Sequence, residues 1–134
     1  MRRAFLLASI ATGISALFTT VTYAHNARQR TVAVREYKEK LADLAFCKTG
    51  YEIAASQRHY HHDVVQFNEM TKKLKELAKL LDDHISQANN LPIEPSEVEK
   101  VKWEAQVEVV HIAQETEEPE FLDQLEERCQ PYIN

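Results

Sequence analysis

The sequence predicts a small all-α domain, a bundle of three to four helices with one disulfide. Three observations carry that expectation. After position 24 the chain holds a single glycine, Gly50, and its prolines begin only at Pro92, while Glu, Lys, Leu, Ala and Gln abound, a composition that favours helix. Apolar residues recur three and four positions apart over long stretches. The chain has two cysteines, Cys47 and Cys129, and both follow the N-terminal segment.

That segment, residues 1–24, has the parts of an export signal: Arg2 and Arg3, an apolar run from Ala4 to Val21, then Thr22, Tyr23 and Ala24. Cleavage is expected between Ala24 and His25. An uncleaved anchor is the alternative, since Ala4 to Tyr23 is long enough to span a bilayer. Gly13, Ser15, Thr19, Thr20 and Thr22 dilute the run, and Arg28, Arg30 and Arg35 would leave positive charge on the exported side. The stretch Arg2-Arg3-Ala4-Phe5-Leu6-Leu7 resembles the twin-arginine export signal, although an ordinary basic start explains the pair as well. The expected location is periplasmic or secreted. The alternative is an inner-membrane anchor with residues 25–134 outside the cytoplasm as one helical domain.

The first helix is expected from Ala27 to Cys47, with Val34, Tyr37, Leu41 and Leu44 on one face. Lys48-Thr49-Gly50 would stop it, Gly50 taking the left-handed cap. A second helix is expected from Tyr51 to Gln87. It carries Phe67, Met70, Leu74, Leu77, Leu81, His84 and Ala88 in heptad alternation, either the inner stripe of a bundle or an exposed seam. The stretch Asn89 to Pro95 breaks the chain. Ser96 with Glu99 reads as a capping box opening a third helix to Glu115. Val101, Trp103, Ala105, Val107 and Val109 also alternate as a strand would, but a lone strand has no partner to pair with. A short fourth helix is expected around Pro119, through Arg128.

In an oxidising compartment Cys47 and Cys129 would pair within the chain, or each with its twin in a dimer. The chain's net charge is −5, and residues 1–24 contribute two Arg and no acid, so the remainder is more acidic still. That argues against nucleic acid as a partner and against electrostatic docking on anionic lipid. A membrane enters only through an uncleaved N-terminal segment. No Gly-rich phosphate loop, nucleophile elbow or metalloprotease motif is present, so neither an enzyme nor a cofactor is expected.

Three candidate sites stand out. His59, His62 and Asp63 would share one side of a helix and offer zinc or copper ligands, with His84 or His111 from elsewhere. His25, as a new N-terminus, would resemble the histidine brace of some exported copper proteins. Phe67, Leu74, Leu77 and Trp103 offer apolar anchors to a protein partner, with core packing as the alternative. The adjacent acids Asp82-Asp83, Glu117-Glu118 and Glu126-Glu127 point apart on a helix, which does not suit paired-carboxylate chemistry. The expected function is that of a small exported binding or accessory protein acting through protein–protein contact. The alternatives are a histidine-based metal binder, or an anchored, crosslinked rod similar in outline to the inner-membrane spanins of phage lysis.

Overall fold

The computed structural model describes the backbone of residues 2–133 and the side chains of residues 26–133. The export segment and its cleavage point at Ala24 and His25 lie outside the described side chains, as does the histidine-brace reading of His25. The described residues form four α-helices, α1 (Arg2–Tyr60), α2 (Val64–Ser86), α3 (Pro95–Glu115) and α4 (Glu118–Cys129), with a 3-10 turn over Gln87–Asn90 and no strand. Among the described residues no helix is long and apolar enough to cross a membrane.

Helix α1 is the central element, and α2, α3 and α4 all pack against it. Cross-links fix the directions. Tyr37 meets His84 and His59 meets Phe67, so α2 runs antiparallel to α1. Lys38 pairs with Glu97 at 3.0 Å, and Val109 lies beside Gly50, so α3 runs parallel to it. Arg58 pairs with Glu118 at 2.8 Å and Cys47 bonds Cys129, so α4 returns antiparallel.

One helix replaces the expected break at Gly50. Gly50 has no left-handed backbone. It is buried where α4 and α3 press on α1: an added Cβ would overlap Leu125 Cδ1 and come within 3.3 Å of Val109 Cγ2. The missing side chain permits close approach rather than a turn. Gly50→Ala gains about 1 kcal/mol of helix propensity but overpacks a closed site, which costs about 1–3 kcal/mol. A net loss of about 1 kcal/mol is expected in urea unfolding.

The true reversal comes at His61-His62-Asp63. His62 adopts φ 56°, the left-handed region that histidine tolerates better than most residues. Its N–H bonds the His59 carbonyl at 3.1 Å and the Asp63 N–H bonds the Arg58 carbonyl at 3.0 Å, the paired bonds of a Schellman end. Asp63 Oδ1 then accepts the Gln66 N–H at 3.1 Å and caps α2.

The start of α3 also differs from expectation. Glu94 occupies the N-cap, with extended backbone and no side-chain cap bond, and Pro95 begins the helix. Proline's fixed φ suits the first helical position, so α3 starts before Ser96 and no Ser96–Glu99 box forms. The helix itself and the short α4 with Pro119 in its first turn match the sequence expectation.

The core joins Tyr37, Leu41, Leu44 and Tyr51 of α1 to Met70, Leu77 and Leu81 of α2, to Val98, Ala105 and Val109 of α3, and to Phe121 and Leu125 of α4. Phe67, Leu74 and Ala88 pack against it half-buried. The heptad stripe of α2 is therefore inner packing, and Leu77 is wholly inaccessible.

Cys47 and Cys129 form one intrachain disulfide with Cα atoms 5.8 Å apart, both residues fully buried. The dimer-crosslink alternative is thereby corrected, since among the described residues no free cysteine remains. Polar contacts surround the bond. Arg128 Nε donates to Asp43 Oδ1 at 3.1 Å, its Nη1 donates to Glu108 Oε1 at 3.0 Å, and its guanidinium lies 3.8 Å over the Phe46 ring. Tyr132 OH donates to Asp43 Oδ2 at 2.8 Å. Burial, then that carboxylate, push the Tyr132 phenol up to about 12.

Candidate functional site

The outer face of α3 carries an exposed apolar stripe. The core takes Val98, Ala105 and Val109, which turns Trp103, Val107 and Val110 outward. Trp103 is 66 % exposed, Val107 48 % and Val110 39 %. These residues sit four and three positions apart, one stripe along the helix. With Gln106, His111 and Gln114 of α3 and Thr49 and Glu52 of α1 they line an open groove of about 530 Å³. The groove has an apolar floor edged by the amides of Gln106 and Gln114, the Thr49 hydroxyl, His111 and the Glu52 carboxylate. Charges beside it are paired within their own helices: Lys48 with Glu52 at 3.8 Å, Lys100 with Glu104 at 3.9 Å and Lys102 with Glu99 at 3.4 Å. His111 Nε2 lies 3.1 Å from Glu115 Oε1.

Of the apolar anchors proposed from the sequence, only Trp103 faces solvent. Leu77 belongs to the core, and Phe67 and Leu74 pack against it. A two-residue difference in register decides this: on α3 the small Ala105 packs inward and the indole does not.

The chain reversal takes the histidine cluster off a single helix side: His59, His62 and Asp63 instead line a small pocket of about 130 Å³ around the turn. His59 lies in the last turn of α1 with its ring 5.2 Å from that of Phe67, His62 sits in the turn, and the Asp63 carboxylate caps α2. The single helix side that would have aligned them is absent. Among the described residues no three His, Cys, Asp or Glu groups are gathered to hold a metal ion. Tyr60, Val64 and Val65 are exposed at the same reversal, a second apolar patch that periodicity alone did not reveal. Of the adjacent acids, Glu118 pairs with Arg58 and lies 3.8 Å from His61 Nε2.

His84, within the apolar stripe of α2, forms a buried clasp with Tyr37. The rings stack at 4.2 Å; Tyr37 OH donates to the His84 carbonyl and His84 Nε2 donates to the Tyr37 carbonyl, each at 2.9 Å. A carbonyl carries no proton, so Nε2 must hold the hydrogen, and Nδ1 is buried without a partner among the described residues. Burial pushes the His84 imidazole below the ordinary histidine value of 6.5; the Lys40 charge adds to the effect and the Tyr37 carbonyl opposes it. The unfolded chain therefore takes up a proton that the folded one resists. Stability is expected to be full above pH 6.5 and to fall as pH drops below it. Urea midpoints at pH 7.5 and 5.5, compared with those of His84→Gln, check this: the variant keeps an N–H donor and should lose less on acidification.

Comparison with known proteins finds no matching family model, no matching curated protein and no matching solved structure.

Proposed function

We propose that the chain is an extracytoplasmic helical binding or accessory protein that engages another protein through the outer face of α3. The observation that carries this is a two-thirds exposed Trp103 in line with Val107 and Val110. Leaving an indole in water forgoes a large burial gain, and tryptophan is the residue most enriched among interface anchors. The buried disulfide suits an oxidising compartment, as does the basic-then-apolar start of the sequence. No catalytic role is assigned: the groove offers amides, a hydroxyl and paired ions rather than an activated nucleophile or a poised acid and base.

A photoreactive residue at position 110, introduced in cells that make the protein, should yield one discrete adduct. The same residue at position 79, exposed on α2, should yield none. Trp103→Ser should remove the adduct while changing stability by less than about 0.5 kcal/mol. No adduct at 110, or equal labelling at both positions, would sink the proposal.

A further inference from the structure

We infer that the hollow between α2 and α4, with Tyr51 of α1 at its floor, is a binding site for a linear aliphatic diamine or polyamine. It is separate from the α3 face and independent of the role proposed there. The hollow measures about 490 Å³, within the range of small-molecule sites. Lys73 stands on its α2 bank, and Asp123, Glu126, Glu127 and Gln130 stand on its α4 bank. The three carboxylates have no ion-pair partner among the described residues. Arg128, the one base of α4, is turned to Asp43 and Glu108. Lys73 Nζ lies 5.5 Å from the centre of the Tyr51 ring and forms no ion pair among the described residues. Three carboxylates against one ammonium leave the hollow negative, which selects a cation.

A buried polar group points to the ligand as well. Tyr51 is 1 % exposed, yet its hydroxyl makes no hydrogen bond among the described residues, whereas the phenols of Tyr37 and Tyr132 both donate to an acceptor. Burial, then the Glu126 carboxylate, push the Tyr51 phenol up to about 12, which places the hydroxyl toward the acidic bank. A buried hydroxyl without a partner is an unmet hydrogen-bonding group. An ammonium seated over it would donate to the phenol oxygen and to a carboxylate at once. Spacing sets the form of the ligand. Asp123 lies three and four positions before Glu126 and Glu127, so the Cβ atoms are about 5–6 Å apart along one side of α4. Among the described residues these acids are not gathered to hold a metal ion. Charges spread over a helical turn are answered by amines spread along an alkyl chain, to which the Tyr51 ring and Ile133 offer apolar contact.

Spermidine is the probe, added to isotope-labelled protein and followed by calorimetry and NMR. One spermidine per chain is expected to bind and to move the side-chain amide signals of Gln130. Replacing Glu126 and Glu127 together by Gln should weaken binding at least about fivefold. Lys73→Met should tighten it about twofold, because it removes the one opposing charge. Tyr51→Phe should weaken it about tenfold and leave the urea midpoint unchanged, since the hydroxyl has no internal hydrogen bond to lose. Magnesium chloride at equal ionic strength should leave the Gln130 signals in place. The inference is overturned by no saturable binding, or by affinity unchanged in the carboxylate variant or in Tyr51→Phe. An equal response to magnesium overturns it in favour of a diffuse counter-ion cloud, and weaker binding to Lys73→Met overturns it in favour of an anion site. None of these outcomes bears on the adduct expected at position 110.

Discussion

Replacing Cys47 and Cys129 together by alanine should lower the unfolding free energy by about 4.5 kcal/mol, the chain-entropy value for a loop closed across 82 residues. The loss should concentrate in α4. Twelve residues are too few to hold a helix alone in water. What keeps α4 in place is Phe121, Leu125 and Cys129 in the core, with the Arg128 and Tyr132 contacts to Asp43. Hydrogen exchange should therefore quicken first in α4 and only later in α2. Both cysteines are inaccessible, so reductant should leave the native protein untouched and act only when urea opens it. An unchanged urea midpoint in the double variant would show that the bond adds nothing to stability.

The second large effect is expected at Leu77→Ala. Leu77 is 0 % exposed and lies at the centre of the α2 stripe facing α1. Truncation loses the transfer energy of the side chain and leaves a cavity, together about 2–5 kcal/mol. The matched change Val107→Ala, on the open face of α3, should stay within about 0.5 kcal/mol. The pair separates core from surface in one experiment. A cooperative melt of Leu77→Ala at the wild-type midpoint would return the stripe to the surface, where the heptad pattern alone also allowed it to lie.

The helices were legible because their periods are strong. The stripe from Phe67 to Ala88 and the Val98, Val101, Ala105, Val109, Ile112 series each fit one helix side, and the structure places both inward. The pairing of Cys47 with Cys129 followed from their number. Gly50 was misread because a glycine serves two purposes that look alike in sequence. It ends helices through its backbone freedom, and it admits a neighbour through its missing side chain; only the arrival of Leu125, 75 positions on, distinguishes them. The helix assumed for the histidine cluster was misread for a related reason. It ends inside the cluster, and His62 gives no glycine-like warning that it will take a positive φ, so His59, His62 and Asp63 lie around a turn rather than along one helix side. Trp103 was half legible. Its size argued for the core, but the buried side of α3 is that of Val98, Ala105 and Val109, and Trp103 falls off it.

The long reach of the disulfide also has a meaning in time. Cys47 lies on the first described helix, and its partner arrives with the last. A chain emerging from its N-terminus would carry one unmatched thiol through the synthesis of α2 and α3, and oxidation then has only strangers to offer it. The interval before α4 docks is the window for mispaired, interchain products, and the speed at which α1, α2 and α3 assemble sets how long that window stays open. The proportion of wrongly linked chains during maturation is therefore a clock for the bundle's assembly, readable on a gel without any knowledge of what the finished protein binds.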